Sequence, residues 1–146
     1  MTIGAILKGK GGEVASLPST ATVKEAVALL AERRFGAVPV VDPGGEGGAV
    51  AGIFSERDVT YCLAREGAAA LDRKLAEVMT TPVQTVGPAD AVIAALSLMT
   101  RRRIRHLPVV EGGKLVGFVS IGDLVKYRID RIEADAAAMR DYIQGA

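Results

Sequence analysis

The stretch GFVSIGD, residues 117 to 123, is a near copy of GIFSERD, residues 52 to 58. Gly, Ser and Asp hold the same places in both, while the residues between them drift. The second and third positions are small hydrophobes, so each copy predicts a buried strand that ends in Ser and turns into a helix. The polar pair then stands at the exit of the strand.

The duplication extends well beyond these seven residues. Laying Pro39 on Pro108, 69 residues further on, brings Val23 onto Val92, Ala26 onto Ala95, Leu29 onto Leu98, and Arg33 and Arg34 onto Arg102 and Arg103. Past the prolines the spacing shortens to 65, because DPGGEGGA in the first copy is replaced by EGGK in the second. Lengthening a surface loop costs little closure entropy, so both lengths suit a hairpin. The internal repeat thus covers most of the chain.

Each unit reads alike. A short strand (Glu13 to Leu17; Val83 to Val86) leads into a helix with apolar residues Val23, Ala26, Val27 and Leu30, matched by Val92, Ala95, Leu96 and Met99. That spacing buries one helix face. Thr22 with Glu25 forms a T-x-x-E capping box, and Asp90 is the expected cap in the second unit. Two strands (Val38 to Val41 and Val50 to Phe54; Leu107 to Val110 and Leu115 to Val119) make a hairpin, and a second helix follows Ser55 and Ser120. The order β-α-β-β-α, written twice, predicts an α+β fold.

Bulk properties exclude several functions. The 146 residues, 49% of them apolar, suffice for a core. Lys and Arg number 18 against 17 for Asp and Glu, which leaves no global field to hold nucleic acid or an anionic membrane. One cysteine, Cys62, excludes an internal disulfide and reads as a small buried residue. The N-terminal MTIGAILKGK lacks the apolar core of a secretory signal, and AVIAALSLM is far shorter than the roughly 20 residues that span a bilayer. The expectation is a cytoplasmic protein with no membrane partner.

The two runs A-V-P-V-V-D … G-I-F-S-E-R-D and V-M-T-T-P-V … R-H-L-P-V-V-E-G-G-K-L-V-G-F-V-S-I-G-D resemble the tandem CBS domain, or Bateman module, over about residues 1 to 128. The resemblance implies two pseudo-symmetric repeats packed sheet to sheet. On this reading residues 1–66 form the first repeat with the N-terminal segment 1–12, residues 67–128 the second with its linker, and residues 129–146 a helical extension. No attached enzyme, channel or transporter is recognisable.

The residue chemistry suits a nucleotide. An ionised Asp has acceptors and no donors, which fits two adjacent ribose hydroxyls. Ser at a strand-to-helix junction can donate to phosphate, where the helix N-terminus adds free N–H groups. Asp58 and Asp123 follow Ser55 and Ser120 by three residues, about one helical turn, so each pair faces one cleft. The resemblance implies that this segment binds adenosine ligands (AMP, ADP, ATP or NAD). It also implies that residues before the x-P-V strand line the adenine: Gly36 and Ala37 in unit one, Arg105 and His106 in unit two. By the same resemblance phosphates reach across the pseudo-two-fold axis, so that Arg105 and His106 serve the nucleotide on Asp58, and Arg57 the one on Asp123. Gly122 stands where Arg57 does, so the two sites are not equivalent.

Other chemistries fit less well. GAILKGKG, residues 4 to 11, imitates a P-loop but has Gly11 where Ser or Thr should bind magnesium, and no strand precedes it; Lys8 and Lys10 read as solvated loop residues. Neither Ser55 nor Ser120 lies in G-x-S-x-G, and one histidine cannot serve two nucleophiles. One Cys and one His do not make a zinc site. No catalytic constellation remains, and the chain reads as a regulatory module rather than an enzyme. Nucleic-acid binding through Arg101 to Arg103 and Arg105 is an alternative, but the run lacks interleaved aromatics and reads more simply as a helix end balancing its dipole. A scaffold with empty clefts is the other alternative.

The last helical pattern carries Val125, Ile129, Ile132, Ala136, Met139 and Ile143 at alternating spacings of 4 and 3, a heptad-like seam. Its polar flanks hold Arg128, Asp130, Arg131 and Glu133. A second copy of the chain is the expected cover, and tandem CBS modules commonly pair into disc-like dimers, as the resemblance implies. A downstream protein that reads the ligand state is expected but not identified.

Overall fold

The computed structural model describes residues 1–11, 14–43 and 48–145. Along the chain these form α1 (Ile3–Lys10), β1 (Leu17–Pro18), α2 (Val23–Arg33), β2 (Ala37–Val41), β3 (Val50–Ser55) and α3 (Glu56–Glu66). A 3₁₀ turn (Gly67–Asp72) leads to α4 (Leu75–Val78), α5 (Val92–Arg102), β4 (His106–Glu111), β5 (Lys114–Ser120) and α6 (Ile121–Gly145). The fold is α+β: β1, β2 and β3 make one sheet in that order, and β4 and β5 a second.

The two hairpins are built alike. Val38 opposes Phe54 and Val40 opposes Gly52 in the first; Leu107 opposes Val119 and Val109 opposes Gly117 in the second. Each breaks register one step later, between Val40 and Val41 and between Val109 and Val110. β1 adds to the first sheet in parallel, Leu17 beside Val40. The matching strand expected at Val83 to Val86 reduces to one parallel bridge, Val86 to Val109, because Pro82 and Gly87 flank it and Pro lacks a ladder donor. The first strand likewise shrinks to Leu17–Pro18, and its expected start, Glu13, lies outside the described residues, as do residues 44–47 of the longer hairpin loop.

Helix ends follow local chemistry. Thr22 Oγ1 accepts from the Glu25 N–H at 3.2 Å while the Glu25 carboxylate accepts from the Thr22 N–H at 3.2 Å, so the capping box forms as read. Asp90 does not cap α5. Ala91 holds the cap position without a side-chain bond, and the Asp90 carboxylate instead accepts from the Gly87 N–H at 2.7 Å, closing the preceding turn. α2 and α5 end on Arg34 and Arg103, both left-handed, with φ of 56° and 54°.

Two hydrophobic clusters organise the molecule. Val23, Ala26, Val38, Val40 and Phe54 centre the first; Val92, Ala95, Met99, Leu107, Val109, Val119 and Leu124 centre the second. Fully burying side chains of this size stabilises by about 1.5–3 kcal/mol each. The connecting segments trade places between these clusters. Ile3 and Ile6 of α1 pack in the second cluster, and Ala70 and Leu75 pack in the first. The helix α1, grouped by sequence order with the first repeat, therefore packs on the second, and the start of the linker closes the first. Backbone bonds fix the exchange: Ile3 N–H donates to Asp90 O at 2.9 Å and Leu75 N–H to Ala21 O at 2.8 Å. The units also touch directly, Leu115 N–H donating to Gly48 O at 3.2 Å.

Candidate functional site

Both repeated corners form the same reciprocal cap. Ser55 N–H donates to Asp58 Oδ2 at 2.9 Å, the Ser55 hydroxyl donates to the same oxygen at 3.1 Å, and Asp58 N–H returns to Ser55 Oγ at 3.4 Å. In the second corner Ser120 N–H donates to Asp123 Oδ2 at 2.9 Å and Asp123 N–H to Ser120 Oγ at 3.1 Å. Part of each carboxylate thus fixes the helix start before any ligand arrives.

What remains of the two carboxylates differs. Asp58 Oδ1 accepts from the Thr80 hydroxyl at 2.9 Å, a neutral partner. Asp123 Oδ2 accepts instead from Lys10 Nζ at 2.8 Å, and that ammonium also donates to Phe118 O at 2.9 Å. Lys10 is therefore no solvated loop residue. It ends α1, and the packing of that helix on the second unit carries it to the Asp123 corner. Burial pushes the Asp123 carboxyl up, but Lys10 and the Ser120 backbone and hydroxyl outweigh it and leave it below the ordinary range.

The same exchange of segments places a glycine contact at each corner. A Cβ on Gly52 would meet Met79 Sδ at 2.6 Å, and one on Gly117 would meet Leu7 Cδ2 at 2.5 Å. Met79 and Leu7 thus lie flat on their strands, one residue before Thr80 in the first case and one turn before Lys10 in the second.

Each corner opens on a cavity. That of Asp123 has a volume of ≈ 450 Å³ and is lined by Lys10, Val14, Ala15, Arg34, Gly36, Ala37, His106, Phe118 and Ser120 among others. That of Asp58 has ≈ 460 Å³ and is lined by Ser55, Glu56, Arg57, Tyr61, Thr80, Val83, Arg103, Arg105, His106 and Gly36 among others. Both fall within the range of small-molecule sites, about 300–1,000 Å³. Each pairs an apolar wall with a carboxylate and cations, so each can enclose an apolar ring, accept from hydroxyls and meet an anion.

The sequence-predicted site residues converge on these two cavities, with one rearrangement. Arg105 lines the Asp58 cavity, and His106 lines it as well as that of Asp123. Arg57 also lines the Asp58 cavity, beside its own aspartate, and does not line that of Asp123. Gly36 and Ala37 line the Asp123 cavity, across the axis, and Gly36 borders both. The basic run divides: Arg101 and Arg102 occupy the last turn of α5, whereas Arg103 and Arg105 face the Asp58 cavity. Thr80, Tyr61, Arg34, Lys10 and Phe118 were not foreseen. For Thr80 and Lys10 the legible signal was the repeat itself, since each sits shortly before a unit's first strand.

His106 stands between the cavities and lines both. Its ring stacks on Phe118, with centroids 5.6 Å apart and planes within 8°. A Cβ on Gly36 would lie 3.4 Å from its Cε1, so the Gly36 backbone passes close beside the ring. Burial lowers the His106 pKa, outweighing the pull of Asp123 and Glu56 in the other direction; Lys10 and Arg105 lower it further.

These corners, doubled and set around shared cavities, define a class of paired ligand-binding modules. A family model for the CBS domain matches residues 12–65 and 75–130, and the chain belongs to the CBS-domain family. It is 35% identical to CBS domain-containing protein CBSX3, mitochondrial, of Arabidopsis thaliana, over 99% of this chain and 72% of that protein. The crystal structure of the CBS-domain containing protein ATU1752 from Agrobacterium tumefaciens matches with a TM-score of 0.80 at 36% identity, covering 87% of this chain and 92% of that one. The CBS domain protein PAE2072 from Pyrobaculum aerophilum, complexed with AMP, matches with a TM-score of 0.75 at 31% identity, covering 84% and 89%.

Proposed function

We propose that this chain is a regulatory module that binds adenine nucleotides in the clefts between its two CBS repeats and transmits their presence by a change of conformation. The observation that carries this reading is the pair of Ser-x-x-Asp corners, each opening on a cavity of nucleotide size with cations on its wall. The AMP complex of PAE2072, at 31% identity, supports the ligand class. AMP, ADP, ATP and NAD share the adenosine monophosphate part that such a cavity would hold, and the module binds them without turnover. His106 and Gly36 border both cavities, so a ligand in one cleft meets residues that also face the other, a physical basis for a response that spans the units.

Two further parts belong to the reading. The apolar stripe of α6 pairs with a second chain to form a homodimer. A downstream protein reads the ligand-dependent arrangement, in the cytoplasm, where the lone thiol of Cys62 stays reduced.

A thermal-shift panel of AMP, ADP, ATP and NAD on the wild type, Asp58→Ala and Asp123→Ala tests the proposal. A ligand at 100 times its dissociation constant stabilises one site by about 2.7 kcal/mol. The expected result is a shift with at least one of the four that is lost in one or both variants. Identical melting with and without every ligand overturns the reading.

A further inference from the structure

Lys10 breaks the pseudo-symmetry of the two candidate sites in charge. In the first unit Thr80, a neutral donor, reaches Asp58; in the second a cation reaches Asp123. The placement is built in. Ile3 and Ile6 anchor α1 in the second core, Leu7 lies against Gly117, and Lys10 follows one turn later at the cavity wall.

Three facts say what Lys10 does there. First, its ammonium has three donors, of which Asp123 Oδ2 and Phe118 O take two. Second, both Lys10 and Asp123 keep access to solvent, with side chains 46% and 28% exposed, so their ion pair contributes little to stability and is readily exchanged. Third, among the described residues the two donors to the Asp123 carboxylate, Lys10 Nζ and the Ser120 N–H, both reach Oδ2, which leaves Oδ1 for a pair of adjacent hydroxyls. Arg34 lines the same cavity, so an anion entering it meets a second cation beside Lys10.

We infer that Lys10 is the residue that makes the Asp123 cavity select phosphorylated adenosines over the neutral nucleoside. A ribose takes Oδ1 of Asp123, and a 5′-phosphate takes the ammonium. Lys10 gives up a carboxylate oxygen already shared with the Ser120 N–H and gains a phosphate oxygen with more charge to offer. A neutral adenosine provides no such exchange. The Asp58 cavity has no equivalent of Lys10, since Thr80 holds that place. This inference rests on the adenine-nucleotide reading and assigns the source of its anion preference in one of the two clefts.

The test is calorimetric titration with AMP and with adenosine, in an Asp58→Asn background that removes the other carboxylate, for Lys10 and for the variants Lys10→Met and Lys10→Arg. Lys10→Met is expected to weaken AMP about tenfold or more, the worth of one charge-assisted hydrogen bond. It should leave adenosine unchanged or tighter, and Lys10→Arg should restore most of the AMP affinity. Equal changes for both ligands, or tighter AMP binding by Lys10→Met, overturn the inference while the nucleotide reading stands. If the wild type binds neither ligand, the nucleotide reading falls first and takes this one with it. A crystal structure of the wild-type chain with AMP decides the matter without the Asp58 variant: Nζ within hydrogen-bond distance of the phosphate supports the assignment, and Nζ still on Asp123 refutes it.

Discussion

His106 is the residue through which pH should act. Burial depresses its pKa despite the nearby carboxylates of Asp123 and Glu56, and the cations Lys10 and Arg105 act in the same direction as burial. In the unfolded chain the imidazole returns to about 6.5 and takes up its proton first as the solution is acidified. Between that value and the lower folded one the unfolded state binds more protons, so stability falls as pH falls. Asp123 is also depressed, but its contribution is present above the ordinary carboxylate range and is lost only at lower pH still, outside this window. Melting temperature should therefore drop from about pH 7.5 to about pH 5.5 in the wild type, and His106→Gln should flatten that part of the profile. A variant that keeps the full slope would place the titration elsewhere.

At the scale of elements, the corners were legible because they are local: Ser-x-x-Asp after two or three apolar residues specifies strand, cap and helix within seven positions. The capping box of α2 was legible for the same reason. α1 was not, because Thr2 makes no side-chain cap bond and eight residues show too little of an apolar face, with Ile3 and Ile6 buried. Its helix is held by tertiary packing on the second unit, and short helices owe most of their stability to such packing. The exchange of α1 and α4 between the units was hidden likewise, since it depends on contacts far apart in sequence, such as Leu7 on Gly117. Those contacts carry a prediction. Alanine at Gly52 meets Met79 and also the Thr80 carbonyl at 2.9 Å, which is pinned by mutual backbone bonds between Ile53 and Thr80 of 3.1 and 2.8 Å. Alanine at Gly117 meets the branch tips of Leu7, which can turn aside. Gly52→Ala should then destabilise by about 1–3 kcal/mol, and Gly117→Ala by less, in urea unfolding. The reverse order would mean that Leu7 is held more firmly than the Thr80 backbone.

At the scale of the whole molecule the unresolved force balance is in α6. Its first turns are anchored: Leu124 is fully buried, and Ile121 and Tyr127 pack on the second core. From Arg128 to Gly145 nearly every residue is exposed, including Ile129, Ile132, Met139 and Ile143 along one stripe. A helix of this length reaches about 27 Å at 1.5 Å per residue and is only marginally stable in water without a packed face. One intrahelical ion pair, Arg131 with Asp135 at 3.7 Å, adds a few tenths of a kcal/mol at most. In the proposed dimer, covering the stripe with the same stripe of a second chain would remove apolar surface from both and leave the charged flanks in water, supplying what the isolated helix lacks. Light scattering should give the mass of two chains at micromolar concentration for the wild type and of one chain for Ile132→Asp. The far-ultraviolet helical signal of that variant should fall as the extension frays, while the melting of the two units stays cooperative. A monomeric wild type that keeps its full helical signal would show that α6 stands without a partner, and a dimeric Ile132→Asp would move the interface to another face.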